Sequence, residues 1–113
     1  MQLKRLPARF YRNAGGREPV REWLKELPSE DRRIIGEDIK DVEFAWPLGL
    51  PLVRPPSRGL WEVRSSLMQG RIARIIFCVS RGSMVLLHGF IKKTQKTPQQ
   101  EIDLALKRMK GVE

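Results

Sequence analysis

The sequence predicts an α+β domain made of an N-terminal helical hairpin, an antiparallel sheet of three or four strands, and a C-terminal helix. Residues 19–46 repeat apolar side chains at helical spacing, a proline-rich stretch follows, and residues 60–91 repeat them at the spacing of extended strands. A chain of 113 residues with 41% hydrophobic content can bury one modest core. We therefore expect a single domain over residues 1–113.

The N-terminal third predicts a short strand and then two helices. Within residues 2–13, Phe10 and Tyr11 precede Asn13 and the Gly15-Gly16 turn, which is typical of a short strand and its turn. Pro19 suits the first turn of a helix that Pro28 stops, and Ser29 can cap the next helix. The apolar positions of the two helices are Val20, Trp23, Leu24, Leu27, Ile35, Ile39, Val42 and Trp46. Such stripes allow the two helices to share one apolar surface as a hairpin.

Beyond a proline-rich stretch at residues 47–56, the chain predicts three consecutive strands. Five prolines and glycines in that stretch disfavour regular structure, so we expect a surface loop there. Gly70 and the Arg81-Gly82 pair are typical of the turns between antiparallel hairpins. The predicted strands cover residues 60–65, 71–79 and 83–91.

A last helix is predicted after residue 97. Thr97 offers an N-cap, Pro98 suits the first helical position, and Gln100 would complete a capping box. The apolar stripe of this helix is Ile102, Ala105, Leu106 and Met109. We expect that stripe to pack on the same sheet face as the hairpin, which leaves the other face open.

The central part of the chain carries nearly all of the net charge of +9. Between residues 54 and 96, nine of the ten charged residues are basic, and Glu62 is the exception. The basic residues are Arg54, Arg58, Arg64, Arg71, Arg74, Arg81, Lys92, Lys93 and Lys96. A predicted sheet that is also the cationic part of the molecule indicates a surface for a ligand with many negative charges.

Strand alternation predicts which of these basic residues converge. It places Glu62 and Arg64 on one side of their strand and Arg74 on the matching side of the next, facing away from the helices. Lys92 and Lys93 leave the last strand near the same edge. A guanidinium grips phosphate oxygens in a bidentate manner and stays charged, so Arg64 and Arg74 form a candidate phosphate site. The alternative is an ordinary solvated basic patch.

Such a site is compatible with RNA cleavage. That reaction needs a base for the 2′-hydroxyl, stabilisation of a doubly charged phosphorane and an acid for the departing 5′-oxygen. Arginine suits the second role. Lys92 or Lys93 is the candidate for proton transfer, because neighbouring positive charges disfavour the ammonium form. Glu62 is expected mainly to orient Arg64, with acid–base work as the alternative. His88 is the single histidine, and its apolar neighbours favour packing in a strand over proton transfer.

The composition argues against several other classes of protein. Cys78 is the one cysteine, so an intramolecular disulfide and a cysteine-rich zinc site are excluded, and its apolar neighbours predict a buried side chain. One histidine argues against a histidine-rich metal site and a serine triad. No apolar stretch approaches the roughly 20 residues that span a bilayer, and the N-terminus lacks the apolar core of a secretory signal. We therefore expect a soluble cytoplasmic protein that uses no metal and no cofactor.

Three segments carry a family resemblance in their residues, order and spacing. They are GLWEVR at residues 59–64, GRIARIIF at residues 70–77, and LLHGFIKKT at residues 86–94, continued by Lys96-Thr97-Pro98 and Glu101-Ile102. Together they resemble the HigB-type, phage-derived branch of the RelE/ParE toxin superfamily over about residues 8–110. The Phe-x-Lys-Lys-Thr segment that leads through proline into a helix is the most specific part. The resemblance implies a small curved antiparallel sheet with helices on one side.

The resemblance also implies an activity, that of a type II toxin which cuts mRNA on the ribosome as a metal-independent endoribonuclease. By position, Arg64 and Arg74 correspond to basic residues of the phosphate site, and Lys92 or Lys93 to the basic group after the last strand. Many relatives place a tyrosine, histidine or aspartate near the C-terminus in the catalytic group, whereas this chain ends Lys-Gly-Val-Glu. A lysine-based scheme or weak intrinsic activity is the expected consequence.

The implied partners are a cognate antitoxin, the ribosome and mRNA, with no membrane. The antitoxin is expected to be a helix-turn-helix DNA-binding protein, so operator DNA would be reached only through it. The remaining basic residues, in predicted loops, at strand edges and after the last strand, are expected to steer RNA, and they are Arg54, Arg58, Arg71, Arg81 and Lys96. Two alternatives stay open: a ParE-like toxin that inhibits DNA gyrase without cutting RNA, and a basic RNA- or ribosome-binding module whose affinity falls steeply with salt.

Overall fold

Three α-helices, five β-strands and one 3₁₀ turn at Met68–Gly70 lie in the part of the chain that a computed structural model describes, which is residues 3–47, 53–57, 59–93 and 96–112. The α-helices and strands are numbered along the chain. In chain order they are β1 (Ala8–Phe10), α1 (Pro19–Glu26), α2 (Ser29–Ala45), β2 (Val53–Ser57), β3 (Leu60–Ser66), β4 (Ile72–Ser80), β5 (Ser83–Lys92) and α3 (Gln99–Met109). The predicted α+β class, with its helical hairpin, strand meander and C-terminal helix, is confirmed.

The strands form one mixed sheet in the order β1-β5-β4-β3-β2. The meander β3-β4-β5 is antiparallel as predicted, but β1 runs parallel to β5 and β2 adds an edge strand, so the sheet has five strands rather than three or four. β2 lies in the stretch predicted as a loop. Proline lacks a backbone N–H, which a strand tolerates at a sheet edge where one side needs no partner, and Pro55 and Pro56 lie in such a strand.

Both faces of the sheet are buried, so the expectation that all helices share one face is wrong. The α1-α2 hairpin covers one side, the hairpin face, where Val63, Ile75 and Phe77 belong to its core cluster. Helix α3 covers part of the other side, the α3 face, where Ile102 and Ala105 belong to a second cluster. The near-continuous apolar run of β4 is the sequence signal for two-sided burial. Cys78 is buried on the α3 face as predicted, and burial raises the pKa of its thiol.

A bulge in β5 decides which side chains face α3. Ile76 pairs with His88 while Phe77 pairs with Leu86, so Leu87 is an extra residue between them. Leu86 packs on the hairpin face, and without the bulge His88 would follow it there. The Arg108 Nη1 of α3 donates to the Leu87 carbonyl at 2.8 Å, and burial lowers the pKa of Arg108. The register shift is therefore held in place by a charged hydrogen bond.

Two of the contacts between the hairpin and the sheet involve Gly89 and Arg71. Gly89 of β5 lies against the Trp23 ring, and an added Cβ would stand 2.6 Å from Trp23 Cζ3 and 3.0 Å from Ile75 Cδ1. Arg71 donates to both carboxylate oxygens of Asp31, at 2.8 and 3.0 Å, and so joins the start of β4 to the first turn of α2. The hydrogen bond from Arg71 holds the pKa of Asp31 below its ordinary value, although burial opposes that shift.

We expect Gly89→Ala to lower the free energy of unfolding by about 1–3 kcal/mol, because the new methyl group overlaps the Trp23 ring. Urea unfolding followed by tryptophan fluorescence measures the change. Gly36→Ala is the matched control: it lies in α2 with no atom within 4 Å of the added Cβ, and it should stabilise the helix by up to about 1 kcal/mol. A Gly89→Ala protein as stable as wild type would contradict this packing.

We expect Asp31→Asn to reduce stability at neutral pH and to have little effect in acid. The lowered pKa means that the folded state favours the carboxylate, so the stability from this pair is present above about pH 4 and is lost as pH falls through the lowered value. Urea midpoints of wild type and variant across pH 2–7 measure this. Glu26→Gln, at an exposed carboxylate, is the control for the change in net charge. A difference between Asp31→Asn and wild type that stays constant with pH would argue against the ion pair.

Candidate functional site

The sheet brings the predicted site residues together where β3 ends, β4 begins and β5 ends. Arg64 and Arg74 are direct Cα partners across β3 and β4, and Arg74 is the Cα partner of Phe90 on β5. Lys92 lies two residues after Phe90, opposite Ile72. These side chains lie on the α3 face, at the end of the sheet where the segment before α3 returns to it.

Glu62 is the centre of this cluster. Its side chain is 1% exposed, and its Oε1 accepts a hydrogen bond of 2.6 Å from Arg64 Nε and lies 3.8 Å from Arg74 Nε. Its Oε2 accepts a hydrogen bond of 2.5 Å from Thr97 Oγ1. A buried carboxylate is costly unless it is paired and hydrogen-bonded, and here both oxygens have partners. The contact with Arg64 is the one that the sequence predicts for a residue that orients this guanidinium.

Arg74 lies beneath the surface, contrary to the expectation that it faces an open sheet. Its side chain is fully buried, and its guanidinium carbon lies 5.8 Å from the centroid of the Phe90 ring. Burial lowers the pKa of Arg74 and the charge of Arg64 adds to that, while Glu62 opposes it. The side chain of Arg64 is 19% exposed. Of the two arginines, Arg64 is therefore the one that can contact a ligand in this conformation.

Among the candidate lysines, Lys92 has a defined contact with the cluster. Lys92 is half-buried, and its Nζ lies 6.0 Å from the centroid of the Phe90 ring, the same ring that Arg74 approaches. Lys93 and Lys96 are exposed on either side of residues 94 and 95, which lie outside the described residues. The contact with the Phe90 ring therefore favours Lys92 as the lysine that belongs to the cluster.

His88 links β5 to α3 rather than standing open to solvent. Its Nε2 lies 3.0 Å from Glu101 Oε1 in the first turn of α3, and its ring stacks on Phe90 at 5.5 Å between centroids. Its side chain is 14% exposed. This is the packed strand residue that the sequence favours.

Thr97 has a different role from the predicted one. Helix α3 begins at Gln99, Pro98 stands at the N-cap, and no side chain caps the helix, so the predicted capping box is wrong. Ser29, the predicted cap of α2, is likewise the first residue of its helix, without a side-chain cap. The residue before a proline is restricted to extended backbone conformations. Thr97 therefore lies ahead of the cap position, and its hydroxyl donates a hydrogen bond to Glu62 instead.

The residues expected to steer RNA lie at separate places in the fold where the structure describes them. Arg54 lies on β2 with its Cα opposite Glu62, and Arg58 lies outside the described residues. Arg71 pairs with Asp31 on the hairpin side. Arg81, with a φ of 50°, forms the turn between β4 and β5, at the other end of β4 from Arg74. Lys96 adjoins Thr97. The site residues that sequence reasoning did not single out are Phe90, Thr97 and Glu101, although all three stand in the segments that carry the family resemblance.

The arrangement can hold an anion and stabilise added negative charge. One guanidinium is fixed in orientation by a buried carboxylate, a second is buried on the neighbouring strand, and Lys92 approaches the same Phe90 ring as that second guanidinium. Such a group of cations suits a phosphate group. No group of residues suited to hold a metal ion occurs within residues 3–47, 53–57, 59–93 and 96–112. In the same described ranges, none of the helices has the length and apolar character needed to cross a membrane.

Comparison with known proteins places the chain in a family. Residues 22–110 match the model of the phage-derived Gp49-like proteins (DUF891), a stretch that includes most of α1, the whole strand meander and α3. None of the curated proteins matched the chain significantly. Because the matched region covers well over half of its length, this protein belongs to the phage-derived Gp49-like family, a family of RelE/ParE-like toxins.

Proposed function

We propose that this protein is a HigB-type toxin of a type II toxin–antitoxin pair and that it cuts mRNA on the ribosome. The observation that carries the proposal is the Glu62 cluster, in which a buried carboxylate holds the partly exposed guanidinium of Arg64, and the Phe90 ring lies near both Arg74 and Lys92. A guanidinium fixed in this way on a strand is preorganised for a phosphate group, in contrast to one on a mobile surface chain. The family membership supports the toxin class, and the cluster supports the choice of RNA as the target.

In the proposed reaction, the ribose 2′-oxygen attacks phosphorus and the bond to the 5′-oxygen breaks. The products are a 2′,3′-cyclic phosphate and a free 5′-hydroxyl: one proton leaves the attacking 2′-hydroxyl and one is delivered to the departing 5′-oxygen. The proposed step uses no metal. Arg64 would bind the phosphate and stabilise the charge that develops on its oxygens. Arg74 would act indirectly, by balancing the negative charge of the buried Glu62 carboxylate. Removing one preorganised donor of this kind typically costs a factor of about 10²–10³ in rate.

Lys92 is the proposed group for proton transfer or charge neutralisation. It is half-buried next to Phe90, and the guanidinium of Arg74 lies by the same ring. Lys93 is exposed and would contribute to binding along the RNA backbone. His88 is already engaged with Glu101, so it would act by holding α3 in place rather than by moving a proton.

The proposed partners follow from the same class of protein. A cognate antitoxin, expected to be a helix-turn-helix DNA-binding protein, would neutralise the toxin, and operator DNA would be reached only through it. Acidic contacts from that antitoxin would complement a chain of net charge +9. The ribosome would present the mRNA, and the basic rim of Lys93 and Lys96 would contact its backbone.

We expect Arg64→Ala to abolish growth arrest on induction and to lower ribosome-dependent cleavage by about 10²–10³-fold. Arg64 is the informative position because it is partly exposed, whereas Arg74→Ala would leave a cavity and an underpaired buried carboxylate. Mapping transcript 5′ ends, with and without ribosome engagement, measures the cleavage. Arg33→Ala, which removes an exposed arginine from α2, is the matched control.

Three results would overturn the RNA-cleaving role, and the last two would each favour an alternative. One is full toxicity of Arg64→Ala at a wild-type protein level. Another is growth arrest of wild type with intact transcripts and a loss of DNA supercoiling, which would favour a ParE-like gyrase inhibitor. Tight, salt-sensitive binding to ribosomes with neither toxicity nor cleavage would instead favour a basic binding module.

We expect Thr97→Val to lower kcat on the order of tenfold with little change in KM, and Thr97→Ser to restore activity. The hydroxyl fixes Glu62, which fixes Arg64, so its loss loosens the transition-state contact rather than the binding of RNA. Steady-state cleavage on programmed ribosomes separates the two parameters, and thermal melting of each variant reports the fold. Equal activity of the valine and serine variants would remove Thr97 from the site.

A further inference from the structure

One cation of the Glu62 cluster has no carboxylate partner among the described residues. The Glu62 Oε1 atom lies 2.6 Å from Arg64 Nε and 3.8 Å from Arg74 Nε, and its Oε2 atom accepts the hydrogen bond of Thr97. Lys92 is half-buried, and within the described ranges it forms no ion pair with a carboxylate. A half-buried ammonium group loses part of its hydration, so another group must compensate for that loss.

The Phe90 ring is the group that lies against this ammonium. Lys92 Nζ stands over the ring, 6.0 Å from its centroid, and the guanidinium carbon of Arg74 stands over the same ring at 5.8 Å. The face of an aromatic ring carries negative potential, and a cation within about 6 Å of the centroid is attracted to it. One aromatic side chain therefore contacts two of the cations of the cluster.

The ring is itself fixed by its surroundings. Phe90 is 7% exposed and belongs to the α3-face cluster. The imidazole of His88 stacks on it, with 25° between the two planes, and His88 Nε2 lies 3.0 Å from Glu101 Oε1 in α3. The docking of α3 therefore helps to fix the ring, and the ring in turn limits where the Lys92 ammonium can lie.

An aromatic ring holds an ammonium group without neutralising it. A carboxylate partner would cancel the positive charge and would take up N–H donors that a phosphate group needs. A ring carries no net charge, and it attracts the ammonium through its quadrupole alone. Lys92 therefore remains a full cation whose position is restricted, which is the preorganised state that a phosphate group requires.

We propose that Phe90 is a positioning residue, whose ring holds the Lys92 ammonium in the Glu62 cluster for a phosphate group bound at Arg64. The role of Phe90 in catalysis rests on the RNA-cleaving function proposed above. Phe90 is almost covered by protein, so it acts through Lys92 rather than by contact with RNA. Arg74 shares the same ring, which helps to compensate for the burial of its guanidinium.

The test replaces Phe90 alone, in the full-length chain, by phenylalanines that carry one, two, three or five ring fluorines. Fluorine draws electron density from the ring face, so the attraction for a cation weakens stepwise while the shape of the side chain changes little. On programmed ribosomes we expect kcat to fall with each added fluorine, by about three- to thirtyfold over the series, with little change in KM. A side chain that only fills space would not produce this graded loss.

The same series at Phe77 is the matched control. Phe77 is fully buried on the hairpin face, where its ring centroid lies 5.7 Å from that of Trp46. We expect the Phe77 series to leave kcat unchanged, and thermal melting of each protein reports any loss of packing. If wild type cuts RNA, equal kcat values across the Phe90 series would overturn the proposal, and so would a loss of the same size in the Phe77 series.

A second measurement does not depend on RNA cleavage. In wild type labelled with ¹³C-lysine, we expect the Lys92 methylene protons next to the ammonium to resonate upfield of those of the exposed Lys93, because they lie over the Phe90 ring. Phe90→Leu should remove that shift, leave Lys93 unchanged and weaken the binding of inorganic phosphate by about threefold or more.

The two measurements separate this inference from the proposed function. Coinciding Lys92 and Lys93 signals in wild type would overturn the ring contact. If wild type shows the upfield shift but cuts no RNA, the proposed function fails, and the phosphate titration then decides the role of Phe90. Equal phosphate affinity of wild type and Phe90→Leu would in that case overturn it.

Discussion

The need to neutralise one buried carboxylate organises this end of the molecule. Glu62 is almost fully removed from solvent, and moving a lone carboxylate from water into a protein interior costs several kcal/mol. Its compensation comes from Arg64 on its own strand, Arg74 on the next strand and Thr97 ahead of α3. The same buried charge therefore fixes the guanidinium of Arg64, and it favours both the pairing of β3 with β4 and the docking of α3. Any change to the cluster is expected to alter both stability and the site.

The Glu62 cluster also depends on the bulge at Leu87, because the bulge sets the register of the last strand. One extra residue moves His88, Phe90 and Lys92 from the hairpin face to the α3 face. The carbonyl that the bulge leaves outside the regular ladder accepts a hydrogen bond from Arg108, so the irregularity is satisfied by the helix that depends on it. A regular β5 would leave the Glu62 cluster without Phe90 and without Lys92.

Much of the fold follows from sequence pattern, because helical and extended periods are local properties. The hairpin, the three meander strands and α3 lie within one or two residues of their predicted bounds. Pairing is not local, so the sequence predicts a strand at β1 but not its parallel pairing with β5, and it does not predict the proline-bearing β2. The candidate site is likewise predictable only in part. Alternation correctly joins Glu62, Arg64 and Arg74 on one face, but burial of Arg74 depends on neighbours from other strands, and the contact of Thr97 crosses 35 residues of sequence.

Helix α3 is held by polar contacts near both of its ends. Thr97 and Glu101 bind Glu62 and His88 at its start, and Arg108 binds the Leu87 carbonyl near its end. Each residue inserted into a helix rotates the remainder of that helix by about 100° and shifts it along the axis by about 1.5 Å. Helix α3 therefore acts as a spacer of fixed length, and an inserted or deleted residue would break one of its two attachments. Sequence drift in this segment is expected to proceed by substitution, with insertions and deletions confined to the residues beyond Arg108.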